Sequence, residues 1–175
     1  SNKEWSTVKG ISTKSFITPP QERINSLMEI PSPYLTNLIW DLVDKNADID
    51  WDTSWETNRG CPYQCTFCDW GSATFTKVRK FEEERLMKEI EWFGKNKMRY
   101  IDCCDANFGL FEERDKKIAE KLKEQALEKS FPKKFGVAWA KNTTEKILPI
   151  AKELRDGGII GGISLSVQSL DPTTL

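Results

Sequence analysis

From Asp52 to the C-terminus the sequence alternates segments of strand character with amphipathic helical segments, and no hairpin signal joins one strand to the next. Ser54–Asn58 (SWETN) reads as a strand that runs into a cysteine-rich loop. Phe81–Lys97 reads as a helix with Leu86, Ile90 and Phe93 on one face. Its first turn carries Glu82, Glu83 and Glu84 and its last Lys95 and Lys97, which complements the helix dipole. Arg99–Asp105 (RYIDCCD) is the next strand, and the helix ending at Lys129 lines up Ile118, Leu122 and Ala126. Lys133–Ala140 (KKFGVAWA) is a third strand. A third helix opens at Asn142, with Glu145 three residues on in the manner of a capping box. It turns Ile147, Ile150, Ala151 and Leu154 inward, is bent at Pro149 and stops at Gly157. Gly158–Gln168 is the fourth strand, and Asp171 with Pro172 marks the start of another helix. Strands joined only through helices pair in parallel. The expectation is an α/β protein with a parallel (β/α) partial TIM-type barrel, whose functional loops follow the C-terminal ends of the strands.

Residues 1–50 differ. They hold Pro19, Pro20, Pro31 and Pro33, and their best pattern is a short amphipathic helix through Leu35, Leu38, Ile39 and Leu42. The segment is too short to bury a core of its own. It is expected to be a lead-in packed on a core domain formed by residues 51–175.

Charge excludes some partners. Lys plus Arg is 26 and Asp plus Glu 27, a net charge of -1, so there is no basic footprint for nucleic acid or for a membrane surface. The seven tryptophans show no base-stacking pattern. GGIIGGISLSV is too short and broken to span a bilayer, and SNKEWSTVKG lacks the apolar core of a signal peptide. A cytoplasmic location is the default expectation. The missing initiator Met and the helix signal at the C-terminus suggest a fragment or processed chain.

Five cysteines, an odd number, without a secretion signal argue against a disulfide framework. Three of them, Cys61, Cys65 and Cys68, fall within GCPYQCTFCDWG. The chain has no histidine to complete a zinc site, and no second CxxC pair. Cys103 and Cys104 are adjacent in a strand, where neighbours face opposite ways. Thiolates are the preferred ligands of iron–sulfur clusters. Three thiolates on a cubane leave one iron without a protein ligand, much as a catalytic zinc keeps an open position.

Cys61–Cys68 (CPYQCTFC) resembles the CxxxCxxC signature of radical S-adenosylmethionine (SAM) enzymes. The resemblance implies a 4Fe-4S cluster on Cys61, Cys65 and Cys68, with SAM chelating the fourth iron. Reductive cleavage of SAM then yields a 5′-deoxyadenosyl radical that acts on a small-molecule or otherwise unknown substrate. It implies an electron donor such as flavodoxin or ferredoxin. Phe67, just before the last cysteine, stands where the family places an aromatic near adenine. Asp105 and Asn107 of DANFG stand where it contacts the SAM amino group; Ser166 and Gln168 of SVQSL stand where a Gln contacts SAM. PSPYLTNLIWDL and ETNRGCPYQCTFCDWGSAT look like the branch joined to a cobalamin-binding domain. The family core has six β/α units, of which about four are legible here. The cobalamin-binding domain should lie N-terminal, and without histidine the chain cannot supply a histidine lower ligand to cobalt, so cobalamin use is an expectation for the parent protein only. No catalytic residue beyond the cluster ligands is assignable.

Plainer roles stand beside these. Gly60 and Pro62 shape a turn, and Arg59 pairs locally with Glu56 or Asp69. Trp70 shields a cluster or covers core surface. Cys103 and Cys104 are small strand residues, at least one of them buried. Asp105 and Asn107 suit a strand-end turn. Lys141 ends the third strand and is a weaker candidate. Ser166 and Gln168 share strand parity. The alternative function is a non-catalytic iron–sulfur or zinc-binding module.

Overall fold

The computed structural model describes residues 4–38, 40, 48–70, 77–141 and 144–166. Strand β1 (Trp51–Trp55) leads into a short strand β2 (Asn58–Arg59), which pairs antiparallel with β3 (Arg79–Lys80) across the cysteine loop. Then follow helix α1 (Glu83–Lys95), strand β4 (Met98–Phe108), helix α2 (Glu112–Lys129), strand β5 (Lys134–Trp139) and helix α3 (Thr144–Asp156). The main sheet has the order β1-β4-β5 and both pairings are parallel. This is consistent with a partial (β/α) barrel, and β4 is the middle strand of the sheet.

One face of the sheet carries the core. Leu86, Ile90 and Phe93 of α1, Ile118 and Leu122 of α2, and Ile147, Ile150 and Leu154 of α3 are all buried there. Each fully buried side chain of this size contributes about 1.5–3 kcal/mol. An edge-to-face aromatic chain links the layers: Trp55 to Phe93 at 5.7 Å, Trp55 to Phe135 at 6.4 Å, Phe135 to Phe108 at 5.5 Å and Phe108 to Trp139 at 5.9 Å. The Trp55 indole N–H donates to the buried Glu89 carboxylate at 2.7 Å, which Arg85 holds at 2.9 Å. On the sheet's other face Tyr100, Asp102, Cys104 and Ala106 of β4 line a shallow groove with Gly136 and Ala138 of β5. The Tyr100 ring lies across Gly136, where an added Cβ would meet the hydroxyl at 2.2 Å.

The segment before β1 touches α1 and β1. Tyr34 packs on Phe93 at 4.8 Å and its hydroxyl meets Thr53 Oγ1 at 3.0 Å, while Trp40 packs on Trp92 at 5.1 Å. Arg85 donates to the Ile30 carbonyl at 2.5 Å. The amphipathic helix expected from Leu35 to Leu42 does not form over its described part. Residues 33–36 are a turn, Asn37 is left-handed at φ 56°, and Leu35 and Leu38 are exposed. Two prolines stiffen the entry, and the anchoring is left to Tyr34 and Trp40. Ile39 and Leu42 lie outside the described residues.

Two other expectations need correction. The chain leaving β1 does make a small antiparallel ribbon, β2–β3, whose two-residue strands are too short to give a periodic signal. The fourth strand does not form over residues 159–166. Its start is spent on a helix stop: Gly158 (φ 70°) donates to Arg155 O at 2.8 Å and Ile159 to Leu154 O at 3.1 Å. That is a Schellman closure with the left-handed residue at Gly158 rather than Gly157. Ile159 O then accepts from Phe135 N at 2.8 Å. Beyond it Gly161 and Gly162 weaken any strand, and Ile163 and Leu165 stay 39% and 42% exposed. The expected cap at Asn142 and the helix signal at Asp171 and Pro172 lie outside the described residues. Helix α3 runs through Pro149.

Phe93, fully buried among Tyr34, Trp55 and Trp92, is expected to cost about 3–5 kcal/mol when replaced by Ala. Leu38→Ala, 63% exposed, should stay within about 0.5 kcal/mol. Urea unfolding of the two variants measures the contrast.

Candidate functional site

Strand register decides where the loop begins. Trp55 lies beside Cys103, so two residues further on Thr57 lies beside Asp105. The Asp105 carboxylate, 2% exposed, accepts from Thr57 N at 2.8 Å, Asn58 N at 3.1 Å, Asn58 Nδ2 at 2.6 Å and the Thr57 hydroxyl. Arg114, in the first turn of α2, donates to Thr57 O at 3.3 Å and lies 3.8 Å from Asp105. It is paired with Asp115, Nε to Oδ1 at 2.8 Å. Asp115 in turn accepts from Gly109 N at 2.8 Å and Phe111 N at 3.2 Å. Burial pushes the carboxyl groups of both Asp105 and Asp115 up, against the lowering effect of Arg114 and of these hydrogen bonds. The cluster therefore clamps the start of the cysteine loop and the turn after β4 to one another.

The loop leaves this clamp through Gly60. At φ 112° an added Cβ would stand 2.0 Å from Lys77 O, so only glycine lets the two arms of the loop approach so closely. The β2–β3 ribbon and the bond from Phe81 N to Thr57 O (3.1 Å) close its base. Tyr63 donates to Lys141 O at 3.2 Å, tying the loop to the end of β5. Burial, then the neighbouring Cys61 and Cys65, raise the Tyr63 pKa. Cys68 N bonds to Cys65 O at 3.0 Å, a turn that carries both thiols on the outer part of the loop. Exposure rises along it: Cys61 is buried, Cys65 intermediate and Cys68 exposed.

Asn107 reaches the innermost thiol. Its Nδ2 donates to Cys61 Sγ at 3.2 Å, and its Oδ1 is buried with no hydrogen-bond partner among the described residues. An unsatisfied buried acceptor costs about 1–3 kcal/mol, and a ligand with an N–H or O–H would remove that cost. Among the described residues no group of three or more His, Cys, Asp or Glu side chains is disposed to hold a metal ion. By residue type, three thiols without imidazole suit an iron–sulfur cluster, but among the described residues Cys61, Cys65 and Cys68 are not gathered into a metal-holding set.

The other candidates disperse. Asp105 faces the clamp, with its carboxylate taken up by the chain's own donors. Phe67 is 74% exposed beside Cys68. Ser166 is exposed on the segment after α3, and Gln168 lies outside the described residues. Arg59 pairs with Glu56 at 2.7 Å. Cys103 is in the core, its thiol pushed well above the ordinary value by burial, and Cys104 is exposed on the opposite face. Trp70 borders the groove on the open sheet face. Sequence reasoning missed Thr57, Arg114, Asp115 and Glu89. A signal existed: Asp115 falls on the stripe of Ile118 and Leu122, and Glu89 on that of Leu86 and Phe93. A charge on a buried stripe requires a partner.

Residues 55–175 match the family model of the radical SAM superfamily. A three-cysteine loop opening from a parallel β/α sheet agrees with that match, and the chain belongs to the radical SAM superfamily. It is 40% identical to the cobalamin-dependent radical SAM methyltransferase TokK of Streptomyces tokunonensis, covering 98% of this chain and 26% of that protein. It is also 40% identical to the 2-(S-pantetheinyl)-carbapenam-3-carboxylate methyltransferase of Streptantibioticus cattleyicolor, covering 96% of this chain and 25% of the relative. The chain thus spans about a quarter of the length of these relatives. Among the described residues no helix is long and apolar enough to cross a membrane.

Arg114→Met strands two buried carboxylates, and breaking such a set is expected to cost about 3–5 kcal/mol. A shift of the denaturation midpoint well below that size would show that the guanidinium is not the counter-ion of the clamp.

Proposed function

We propose that this chain is the cluster-bearing part of a radical SAM methyltransferase that acts on a small molecule. The observation that carries the reading is the Asn107–Cys61 contact at the start of a three-thiol loop on the clamp. Identity of 40% to two methyltransferases over nearly the whole chain supports the reaction class. Cys61, Cys65 and Cys68 would hold a 4Fe-4S cluster as thiolates. A cluster held by these thiolates would supply one-electron reductive chemistry toward SAM.

The chain's own residues orient and shield. The clamp fixes where Cys61 stands. Tyr63 and Gly60 hold the loop against β5 and the ribbon. Asn107 offers a buried acceptor beside the innermost sulfur, a place for an amine N–H of SAM. Phe67 offers an exposed ring to a nucleobase, and Ser166 and Gln168 are the polar candidates after the third helix. Similarity to a cobalamin-dependent methyltransferase supports cobalamin as a cofactor of the longer parent protein, in which no histidine of this chain would ligate cobalt. A one-electron donor of the flavodoxin or ferredoxin class completes the reaction, in the cytoplasm.

Anaerobic reconstitution with iron and sulfide, reduction and addition of SAM are expected to yield 5′-deoxyadenosine. Cys65→Ala should abolish both the cluster absorption and the product. A cluster that assembles without cleaving SAM would favour a non-catalytic iron–sulfur module, and unchanged turnover in the variant would reject the ligand set.

A further inference from the structure

The base of the cysteine loop is cationic. Arg59 of β2, Arg79 of β3, Lys77 just before it and Arg23 of the lead-in line one groove, whose apolar surface comes from Ile24 and Leu27. Among the described residues none that lines it is acidic, although the chain carries 27 acidic residues against 26 basic ones. Stability of the fold does not account for this set. Arg59 and Arg79 stand directly opposite each other in the two-residue ribbon β2–β3, and like charges at such a pair weaken the pairing. Glu56, 2.7 Å from Arg59, offsets one of the charges. The ribbon nevertheless holds the two arginines together, because Gly60 lets its arms close to within contact of Lys77 O.

Exposure decides what such a groove takes. Arg23, Arg59 and Lys77 are exposed and Arg79 is half-buried, so water and salt screen their attraction for a small free anion. The volume, about 290 Å³, is at the lower limit for a small-molecule pocket, about 300–1,000 Å³. Exposed charges around an apolar contact instead steer and orient a macromolecule of opposite sign. Nucleic acid would need cations continued along a whole face, which the balanced charge of the chain does not supply. We propose that this groove docks an acidic one-electron donor protein. Gly60 lines the groove and the next residue is Cys61, so a partner seated there meets the base of the cysteine loop. A small contact rimmed by charge suits a transient electron-transfer encounter, which buries less than about 1,200 Å². That the partner is an electron donor rests on the function proposed above; the place where an acidic partner sits does not. The lead-in thereby gains a role beyond packing, since Arg23, Ile24 and Leu27 form one side of the groove.

The test is a calorimetric titration of the full chain with a flavodoxin as the acidic probe, at about 0.02 M and about 0.5 M salt. Wild-type binding is expected at low salt and should be lost at high salt. Lys77→Glu combined with Arg79→Glu should weaken it about tenfold at low salt. Arg79→Glu alone turns the like-charged pair of the ribbon into an opposite one, so the thermal midpoint should hold or rise while binding falls. An arginine with a merely structural role would move both in the same direction. Absent binding, binding indifferent to salt, or full binding in the double variant overturns the docking surface. Tighter binding of inorganic phosphate or of a single-stranded oligonucleotide, lost in the same variants, overturns it too, as does self-association of the chain that these substitutions abolish and flavodoxin does not displace. The titrations are run without added iron and sulfide and again after reconstitution, so their outcome is read apart from cluster assembly. Failure of the reconstituted wild type to release 5′-deoxyadenosine from SAM under dithionite overturns the proposed function instead, because a small chemical reductant needs no docking surface.

Discussion

A parallel sheet has no hairpin to hold the end of one strand against its neighbour, so the chain leaving β1 must be secured by side chains. Asp105 does this. Its carboxylate takes two backbone N–H groups, an amide and a hydroxyl from Thr57 and Asn58, just where β1 ends. Burial of the charge is tolerable because those donors converge on it and Arg114 stands behind them. Asp115 extends the same set to the turn after β4. Loop and turn are thus rigid with respect to one another, although they are about fifty residues apart in sequence.

That rigidity explains the gradient across the thiols. Cys61, three residues past the clamp, is buried and receives an amide N–H, while Cys65 and Cys68 sit progressively further into solvent. One thiol is pre-positioned and two remain accessible from outside. An arrangement of this kind suits a group that is loaded after folding, since ligands already buried on every side would have to reopen to admit it. The position of Asn107 follows from the same clamp, because it is two residues past Asp105 in the stretch of β4 where the pairing with β5 is interrupted, between Cys103 and Phe108.

Helical periodicity was the most legible signal. Leu86, Ile90 and Phe93, then Ile118 and Leu122, then Ile147, Ile150 and Leu154 all lie in the core as their spacing implies. The opposite facing of Cys103 and Cys104 followed from strand parity. Failures came where a local pattern was outweighed by its context. Leu35 and Leu38 have helical spacing but follow prolines and flank a left-handed Asn37. Residues 159–166 are apolar enough for a strand, but their first residues close α3 and the glycines that follow leave the edge unsupported. The clamp was hidden because its members come from three separate elements.

Sequence alone was sufficient for the thiol spacing, the absence of histidine, the alternation of strands and helices, and hence the class of protein, since all of these are properties of short windows. It also singled out Asn107 as worth attention. Only the tertiary structure decided that Asp105 and Asn107, neighbours in one motif, do different things. The first is consumed by Thr57 and Asn58, and the second has its carbonyl unpaired among the described residues, beside Cys61. The physical reason is register: which partner a strand residue meets depends on how the adjacent strand is aligned, and no window of sequence contains both strands' alignment.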